Sequence, residues 1–461
     1  MGRSKKLAET VKGSASSSPT PMEANMDSPK QSPKEVNICI ISVAGKSKYY
    51  CQTGGKRTRR ESESSSASAG NPRKRGRRTK AEVELELETK RVKLTSLGET
   101  RGVGHVLTLG QGDTGQLGLG EDIMERARPA LVKDVENAVD VVAGGMHTVV
   151  LDNEGDVWTF GCNDEGSLGR VVEEEEECFI PGKVSLPEKV VQISAGDSHS
   201  AALTESGQVW LWGTFRDSSG PIGLLTWAQL EKEPVKVPVS GRDQVVRIVS
   251  GGDHLAMLTQ AGDIYTMGNS EQGQLGRVPE KFGHRGGRRG GQMLLMPDKI
   301  HSKSKSKKFS NVWAGSYNTV ALTTAGEVLV MGLNNYSQMG IDHNKSGLTF
   351  FMPVVSEDLS GREWEQMAIG QHHALCLDKA GQVFCLGRSE YGRLGLGEGT
   401  GDAGQATPVT KVEGECSQVA CGTAVSYAVT KTGSSYSWGM GTNGQLGTGE
   451  EEDLWEPTVM K

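Results

Sequence analysis

The sequence predicts an all-β protein whose larger part is a seven-bladed β-propeller. Three features carry this prediction: a repeat of about 50 residues, an excess of glycine, and short stretches in which apolar and polar residues alternate. Glycine accounts for 62 of the 461 residues, about twice its usual share of roughly 7%. This combination favours many short strands joined by tight turns.

The first repeated unit is an apolar residue followed by glycine, with a second apolar-glycine pair eight residues later in six of its seven copies. Self-similarity at a long period is the signature of a repeat architecture. We therefore expect seven copies of one structural unit. The first glycine of each copy is Gly110, Gly161, Gly213, Gly268, Gly332, Gly387 or Gly439.

A second unit, a small residue followed by Gly-x-x-His, precedes six of the seven copies. Asn318 and Val425 replace the histidine in two of them. Recurrence in nearly every repeat favours a structural role for this histidine, because polar side chains at turns are normally hydrogen-bonded.

Each repeat can be divided into four strands, A to D. In the first full repeat, A is Val139–Ala143, B is His147–Leu151, C is Val157–Phe160, and D lies near Pro181–Val184. Four short strands in each of seven repeats are typical of a propeller, whereas a β-helix has a much shorter period. We assign residues 101–461 to this domain.

Residues 1–100 are predicted to be a disordered basic tail. They hold 21 Lys and Arg against 11 Asp and Glu, which gives a net charge of +10. Because the whole chain has a net charge of −6, residues 101–461 carry −16. Little apolar surface is present to fold this segment; one β-prone stretch, 36–43, is too short to form a domain. Basic clusters in such a tail favour nuclear import or phosphate binding. The predicted nuclear localisation residues are Arg73, Lys74, Arg75, Arg77, Arg78, Lys80, Lys90, Arg91 and Lys93.

Several classes of protein are disfavoured. No apolar run approaches the ~18 residues of a membrane helix, and no secretory signal is expected. The eight cysteines include no CxxC pair, which argues against a zinc site or a disulfide framework. The sequence has no GxxxxGK[ST] motif, so we expect no bound nucleotide. No HxxxH or His-carboxylate cluster supports a metal site, and no cofactor is expected. A hydrolase or lyase is the weakest alternative, because no catalytic constellation is evident.

Three segments make the sequence recognisable: Gly161–Arg170, Ala195–His199 and Tyr391–Gly399. With the seven repeats, they resemble the regulator-of-chromosome-condensation family over roughly residues 86–461. The resemblance implies a nuclear, chromatin-bound propeller that acts as guanine-nucleotide exchange factor for the small GTPase Ran.

The resemblance also leads us to expect a final A–B pair that closes the ring. The sequence contains seven C–D units and only six A–B units. We therefore predict that the last-closing blade is incomplete and that the chain lacks the closing strands. The strand His105–Gly110 would then have an unpaired inner edge, which invites aggregation.

Departures from the repeat indicate the candidate GTPase-binding residues. Asp197 and Asp253 lie in A–B turns, and Asp113 lies in the first C–D loop. Carboxylates on one ring face would suit a basic partner. The resemblance implies that these three residues, with His147 and His373, contact Ran.

The third C–D loop is two residues longer than the second, Cys162–Ser167, and carries an aromatic residue and proline. In the family this segment is a wedge that inserts against the nucleotide site of the GTPase. The resemblance therefore implies that it contacts Ran. Its residues are Phe215, Arg216, Asp217, Ser218, Ser219, Gly220, Pro221 and Ile222.

The largest insertion, 277–291, is rich in arginine and glycine. Arginine offers forked donors for carboxylates and phosphates. The resemblance implies that Arg285, Arg288 and Arg289 bind the acidic patch of the nucleosome, and we assign Arg277 to the GTPase side. A lysine-rich stretch, 303–308, could touch DNA phosphates or serve solubility alone.

Two functions remain open at the level of the sequence. The first is an exchange factor for Ran that is bound to chromatin through nucleosomes and imported by a nuclear import receptor. The second is a chromatin-binding propeller without exchange activity, because an incomplete ring would distort the binding face. A GTPase release assay separates them.

Overall fold

The computed structural model describes residues 38–42, 102–240, 244–300 and 307–461. The predicted nuclear localisation residues, most of the predicted tail and part of the lysine-rich stretch lie outside these ranges. Within them, no helix is both long enough and apolar enough to cross a membrane.

The first three strands form one sheet in the order β1-β2-β3. Strand β2 pairs with β3 antiparallel and with β1 parallel. The strands are β1 (Ile38–Ser42), β2 (His105–Gln111) and β3 (Glu125–Leu131).

The next strands form six antiparallel sheets of four strands each, which are the blades. Blade 1 contains β4 (Ala138–Ala143), β5 (His147–Asp152), β6 (Val157–Gly161) and β7 (Gly182–Val184). Blade 2 contains β8 (Val190–Ala195), β9 (His199–Thr204), β10 (Val209–Gly213) and β13 (Glu231–Lys236). Between β10 and β13, a separate two-stranded hairpin is formed by β11 (Phe215–Asp217) and β12 (Gly220–Gly223). Blade 3 contains β14 (Val245–Ser250), β15 (His254–Thr259), β16 (Ile264–Gly268) and β17 (Asp298–Lys299).

The remaining three blades follow the same plan. Blade 4 contains β18 (Phe309–Ala314), β19 (Asn318–Thr323), β20 (Val328–Leu333) and β21 (Thr349–Ser356). Blade 5 contains β22 (Trp364–Ile369), β23 (His373–Asp378), β24 (Val383–Gly387) and β25 (Ala403–Pro408). Blade 6 contains β26 (Cys416–Cys421), β27 (Val425–Thr430), β28 (Ser435–Gly439) and β29 (Leu454–Val459). Two short helices, α1 (Gln292–Leu295) and α2 (His343–Ser346), and 3-10 turns at Glu175–Phe179, Glu280–Phe282, Gly287–Arg289 and Glu390–Gly392 lie in the connections.

The all-β propeller is confirmed, but the prediction of seven blades is wrong, because the described part of the chain forms six. The sequence supplies six A–B pairs, and each completes one four-stranded sheet. The remaining C and D strands are β2 and β3. The four strands predicted for the first full repeat agree with β4 to β7 to within one residue at nearly every boundary.

The core lies between neighbouring blades. Strands β5 and β9 are buried along their whole length, and Trp212 of blade 2 packs against Val142 and Leu151 of blade 1 within one apolar cluster. Because each blade buries its faces on its neighbours, each sheet depends on the presence of the next one.

The glycine that ends each C strand is required by both conformation and space. All seven have φ between 94° and 114°, a region that residues with a Cβ rarely adopt. A Cβ on Gly213 would lie 2.3 Å from the carbonyl oxygen of Ser198, and one on Gly332 would lie 2.2 Å from that of Tyr317. In the six blades, the end of the C strand is therefore pressed onto the A–B turn of the same blade.

The inner edge of β2 is not unpaired, contrary to expectation. Residues from Ile38 to Ser42 align in parallel register with those from His105 to Leu109. An exposed edge is a row of unsatisfied backbone groups, and β1 supplies partners for it. The strand β1 also lies beside β4 of blade 1, so it occupies the position of a B strand in this sheet.

Pairing of β1 with β2 is expected to stabilise the propeller. Alternate residues of a parallel strand donate to one neighbour, so either Cys39→Pro or Ile40→Pro must remove a hydrogen-bonded N–H from the ladder. We expect at least one of them to lower the melting temperature by about 3 °C or more, since proline in a paired strand costs on the order of 1–3 kcal/mol. Scanning calorimetry of the full chain measures this. Lys46→Pro, outside the strand, is the control, and equal melting of all four proteins would contradict a stabilising role.

Candidate functional site

One face of the ring carries the A–B turns and the C–D loops of every blade. In blade 1, the first residue of β5, His147, is paired with Gly161, the last residue of β6. The turn that precedes one and the loop that follows the other therefore lie side by side. The same register recurs in blade 3, where His254 is paired with Gly268.

A cavity of about 460 Å³ opens on this face, across blades 1 to 3. Five residues predicted from the sequence meet in its lining: His147, Asp197, Arg216, Asp217 and Asp253. The lining also includes two carboxylates that were not predicted from the repeat pattern, Asp164 and Glu165. Five carboxylates against one guanidinium make the cavity acidic. Such a site suits a basic partner.

A short hairpin, β11 and β12, borders the cavity. Its two apolar ends are anchors and not contact residues: Phe215 and Ile222 are fully buried in the core shared by blades 2 and 3. The ring of Phe215 meets that of His199 edge-on at 4.6 Å. Between these anchors, Ser218 and Ser219 at the tip are exposed.

The base of the hairpin is tied to blades 1 and 3 by its backbone and by one side chain. The N–H of Arg216 donates to Asp253 Oδ1 (2.9 Å), and its carbonyl accepts from Asn269 Nδ2 (2.9 Å). The Arg216 guanidinium forms an ion pair with Glu165. One role of Asp253 is therefore to position the hairpin.

The tip of the hairpin is held by the C–D loop of blade 3. Both the N–H and the hydroxyl of Ser218 donate to the Glu271 carboxylate, at 2.9 and 2.7 Å. His284 Nδ1 lies 2.6 Å from Glu271 Oε1. Partial burial would raise the pKa of Glu271, but the bonds from Ser218 and His284 hold it below its usual value.

The segment 277–291, which we call the arginine loop, reaches the same hairpin. The Arg285 guanidinium donates to both oxygens of Asp217, at 2.7 and 2.8 Å. Burial alone would raise the pKa of Asp217, but the hydrogen bonds and charge of Arg285 hold it below its usual value. Arg288 is exposed, and Arg289 lies over the Phe282 ring at 4.5 Å.

The comparisons with known proteins place this architecture in a family. The RCC1-like domain matches residues 105–461. The human protein named Regulator of chromosome condensation is 50% identical over 378 residues, which cover 81% of this chain and 88% of the human one. This chain belongs to the regulator-of-chromosome-condensation family.

Family members from Saccharomyces cerevisiae are more distant. The protein named Guanine nucleotide exchange factor SRM1 is 30% identical over 403 residues, which cover 76% of this chain and 81% of the yeast one. The crystal structure of Prp20p, described with its binding properties to Gsp1p and histones, has a TM-score of 0.71 at 30% identity and covers 81% of this chain and 88% of its own. The crystal structure of Kap60 bound to yeast RCC1 (Prp20) has a TM-score of 0.71 at 28% identity. The match covers 88% of this chain and 91% of the yeast one.

The repeated histidines of this family member join neighbouring blades. His147 Nε2 lies 2.8 Å from Ser200 Oγ of blade 2, and Ser200 donates in turn to the carbonyl of Ser167. The pair of His373 and Ser426 repeats this contact between blades 5 and 6, at 2.9 Å. Both histidines are fully buried, so the face presents their backbone and neighbours instead of their rings.

Arg277 is also turned inward. Its guanidinium donates to the carbonyl of Thr266 at 3.1 Å and to that of Met296 at 3.0 Å. Burial lowers its pKa to about 10. Arg170, at the same place in the first full repeat, donates to the carbonyls of Glu177 and Ile180. Arg277 therefore shapes the arginine loop from beneath.

Asp113 lies outside the cavity, exposed in the first C–D loop, where its Oδ1 accepts from Gln116 Nε2. A signal for Asp164, one of the two missed carboxylates of the cavity, was present in the sequence. The third residue after the C-strand glycine is acidic in four repeats: Asp113, Asp164, Glu271 and Glu390.

A second missed group lies around His372, the residue before the repeated histidine of blade 5. It is half-exposed, and its ring meets that of Tyr336 at 5.1 Å. Burial and the charges of Arg393 and Arg388 lower the pKa of His372. Because the repeat pattern selects His373, only the structure reveals that its neighbour is the accessible one.

Asp217, Glu271 and His284 place one ligand atom each within 4.8 Å of one another. This spacing would suit a cation. However, both oxygens of Asp217 already accept from Arg285, so a cation would have to displace that guanidinium.

The buried histidine predicts a pH dependence of stability. Burial, with the nearby charge of Arg393, lowers the pKa of His373 to about 3, below its unfolded value of roughly 6.5. The unfolded chain therefore binds more protons between these values, and stability is complete above about pH 6.5 and is lost as the pH falls. His373→Asn, which copies Asn318 of blade 4, should weaken this loss by up to about 1.4 kcal/mol per pH unit. Urea unfolding at several pH values tests this.

The exposed His105 provides the control. The variant His105→Asn is expected to keep the pH profile of the parent. If His373→Asn also keeps it, the imidazole is not held neutral by burial.

Proposed function

We propose that this protein is a guanine-nucleotide exchange factor for the small GTPase Ran. The observation that carries the proposal is the acidic cavity with a hairpin at its border, on the face where the loops of all blades meet. The names of the yeast comparisons support it, because one names a guanine nucleotide exchange factor and the other describes binding properties to Gsp1p.

Exchange by such a face needs no covalent chemistry. If the face binds nucleotide-free Ran more tightly than loaded Ran, the affinity of Ran for nucleotide must fall by the same factor. Each tenfold gain in release rate corresponds to about 1.4 kcal/mol of preferential stabilisation of the release transition state. Release is undirected, and the nucleotide in excess refills the site.

The parts of the site have separate tasks in this mechanism. Asp197 and its neighbouring carboxylates hold a basic surface of Ran, and Asp113 and His372 extend the contact around the face. The exposed tip of the hairpin, from Ser218 to Pro221, disturbs the phosphate and metal contacts of the nucleotide. His147, His373 and Arg277 act indirectly by fixing the turns and the loop.

A second surface binds chromatin in this proposal. Arg288 and Arg289 project from the arginine loop and pair with the acidic patch of the nucleosome, because forked donors suit carboxylates. The histone binding studied for Prp20p is in keeping with this. The basic clusters at 73–80 and 90–93 bind an import receptor, as the Kap60 complex of a relative suggests, and so direct the protein to the nucleus.

The alternative is a chromatin-binding propeller without exchange activity. The observation that favours it is the sheet of β1 to β3, which lacks the four strands of a complete blade. Nucleosome binding by a chain that leaves nucleotide release from Ran unchanged would favour this alternative.

Asp197→Ala should slow nucleotide release from Ran at least tenfold, because it removes an exposed carboxylate from the cavity without disturbing the core. Stopped-flow release of a fluorescent GDP from Ran measures the rate. The matched control is Glu233→Ala, an exposed carboxylate on the outer strand β13, which should exchange like the parent. Equal rates for both variants would remove Asp197 from the site.

Arg288→Ala should weaken binding to nucleosomes several-fold, and Arg288→Lys should restore only part, because a point charge lacks the fork. Electrophoretic mobility shift with reconstituted nucleosomes measures this at fixed salt. Lys281→Ala, an exposed cation in the same loop, is the control. Binding of Arg288→Ala as tight as that of the parent would refute the assignment.

A further inference from the structure

We propose that the arginine loop is the support that sets the conformation of the hairpin, with Arg285 as its positioning residue. On this view Arg285 serves the GTPase site and is not an anchor for the nucleosome. The inference rests on the proposed function only where it concerns Ran, since the contact itself lies within this chain.

The hairpin cannot fix its own tip. It has three paired positions, Phe215 with Gly223, Arg216 with Pro221 and Asp217 with Gly220, and the register shifts after the first. Pro221 has no N–H to donate to the ladder. A two-stranded hairpin of this size is not stable by itself in water, so its shape must come from outside.

External contacts reach the tip from two directions. The N–H and the hydroxyl of Ser218 donate hydrogen bonds to the Glu271 carboxylate. The Ser219 N–H donates to Asp217 Oδ1 at 2.8 Å. That carboxylate is in turn held by the fork of Arg285. The Asp217 side chain is only 3% exposed, so its charge is compensated inside the protein by Arg285.

The backbone of Arg285 is adapted to this single task. Its φ is +47°, a left-handed conformation that residues with a Cβ adopt only where the surroundings impose it. Gly286 and Gly287, which follow, also have positive φ. The turn therefore aims the side chain at the hairpin.

The guanidinium of Arg285 is held on a second side by an aromatic ring. It lies 5.7 Å from the ring of Trp227, and Trp227 is fixed by Gln292, which accepts from its N–H at 2.9 Å and donates to the carbonyl of Leu225 at 2.6 Å. Asp217 occupies the Nε–Nη2 fork of Arg285, so a nucleosome carboxylate would find only the remaining Nη donors of a side chain whose charge is already paired. Arg288, three residues later, is exposed and makes no ion pair with a described residue, so it meets an acidic partner without that loss.

Hydrogen exchange of the full chain, followed by mass spectrometry, tests the support directly. Arg285→Ala should speed exchange of the amides from Arg216 to Gly220 at least tenfold. Arg285→Lys should give an intermediate rate, and Lys281→Ala should match the parent. Asp217→Asn, which removes the other partner, should loosen the same amides, and the double variant should be no looser than the single ones.

The same variants in the Ran release assay separate this inference from the proposed function. We expect Arg285→Ala to slow release at least fivefold while binding to nucleosomes stays within twofold of the parent. Unchanged exchange of the hairpin amides in both single variants would overturn the support, whatever the release rate. Loosened amides with an unchanged release rate would overturn the role of the hairpin in exchange, and a loss of nucleosome binding equal to that of Arg288→Ala would return Arg285 to the chromatin surface.

Discussion

The close approach of each C-strand glycine to the A–B turn of its blade is the constraint on which the rest of the structure depends. Because Gly161 and Gly213 have no Cβ, the end of the C strand can contact the backbone of the A–B turn. The C–D loop, which begins there, therefore lies next to that turn. Six repetitions of this geometry bring the variable loops of the blades to one face. The acidic cavity is a consequence, because carboxylates that are far apart in sequence meet where these loops converge.

The face is made rigid by contacts that cross from blade to blade. A buried histidine reaches a hydroxyl of the next blade, as His254 reaches Thr319, and that hydroxyl donates to the carbonyl of Gln274 in the C–D loop. The C–D loops of blades 1, 3 and 5 are tied to the following blade in this way. Because neighbouring sheets are joined in this way, we expect the pairing at the edge of β2 to help to hold the binding face.

The sequence predicted the repeating parts well, because they depend on local patterns. Strand boundaries in blade 1, the role of the glycines and the gathering of Asp197 and Asp253 on one face all follow from the period of the repeat. The partner of β2 was missed because pairing between Ile38 and His105 joins distant segments, which no local pattern reports. Arg277 and Arg285 were assigned to partners because forked donors in a glycine-rich loop, and the family resemblance, favour binding. Here, carbonyls bind Arg277 and a carboxylate of the hairpin binds Arg285, contacts that no local pattern reports.

Two proposed functions lie on neighbouring surfaces that are joined through one loop. In the proposed function, the hairpin would meet the GTPase and the exposed arginines would meet chromatin, and the ion pair of Asp217 and Arg285 lies between them. A structure of the full chain bound to nucleotide-free Ran would test this arrangement most directly. We expect Ran to cover the cavity, with Ser218 to Pro221 against its nucleotide site. Ran seated on the opposite face, near the B–C turn at 153–156, would contradict it.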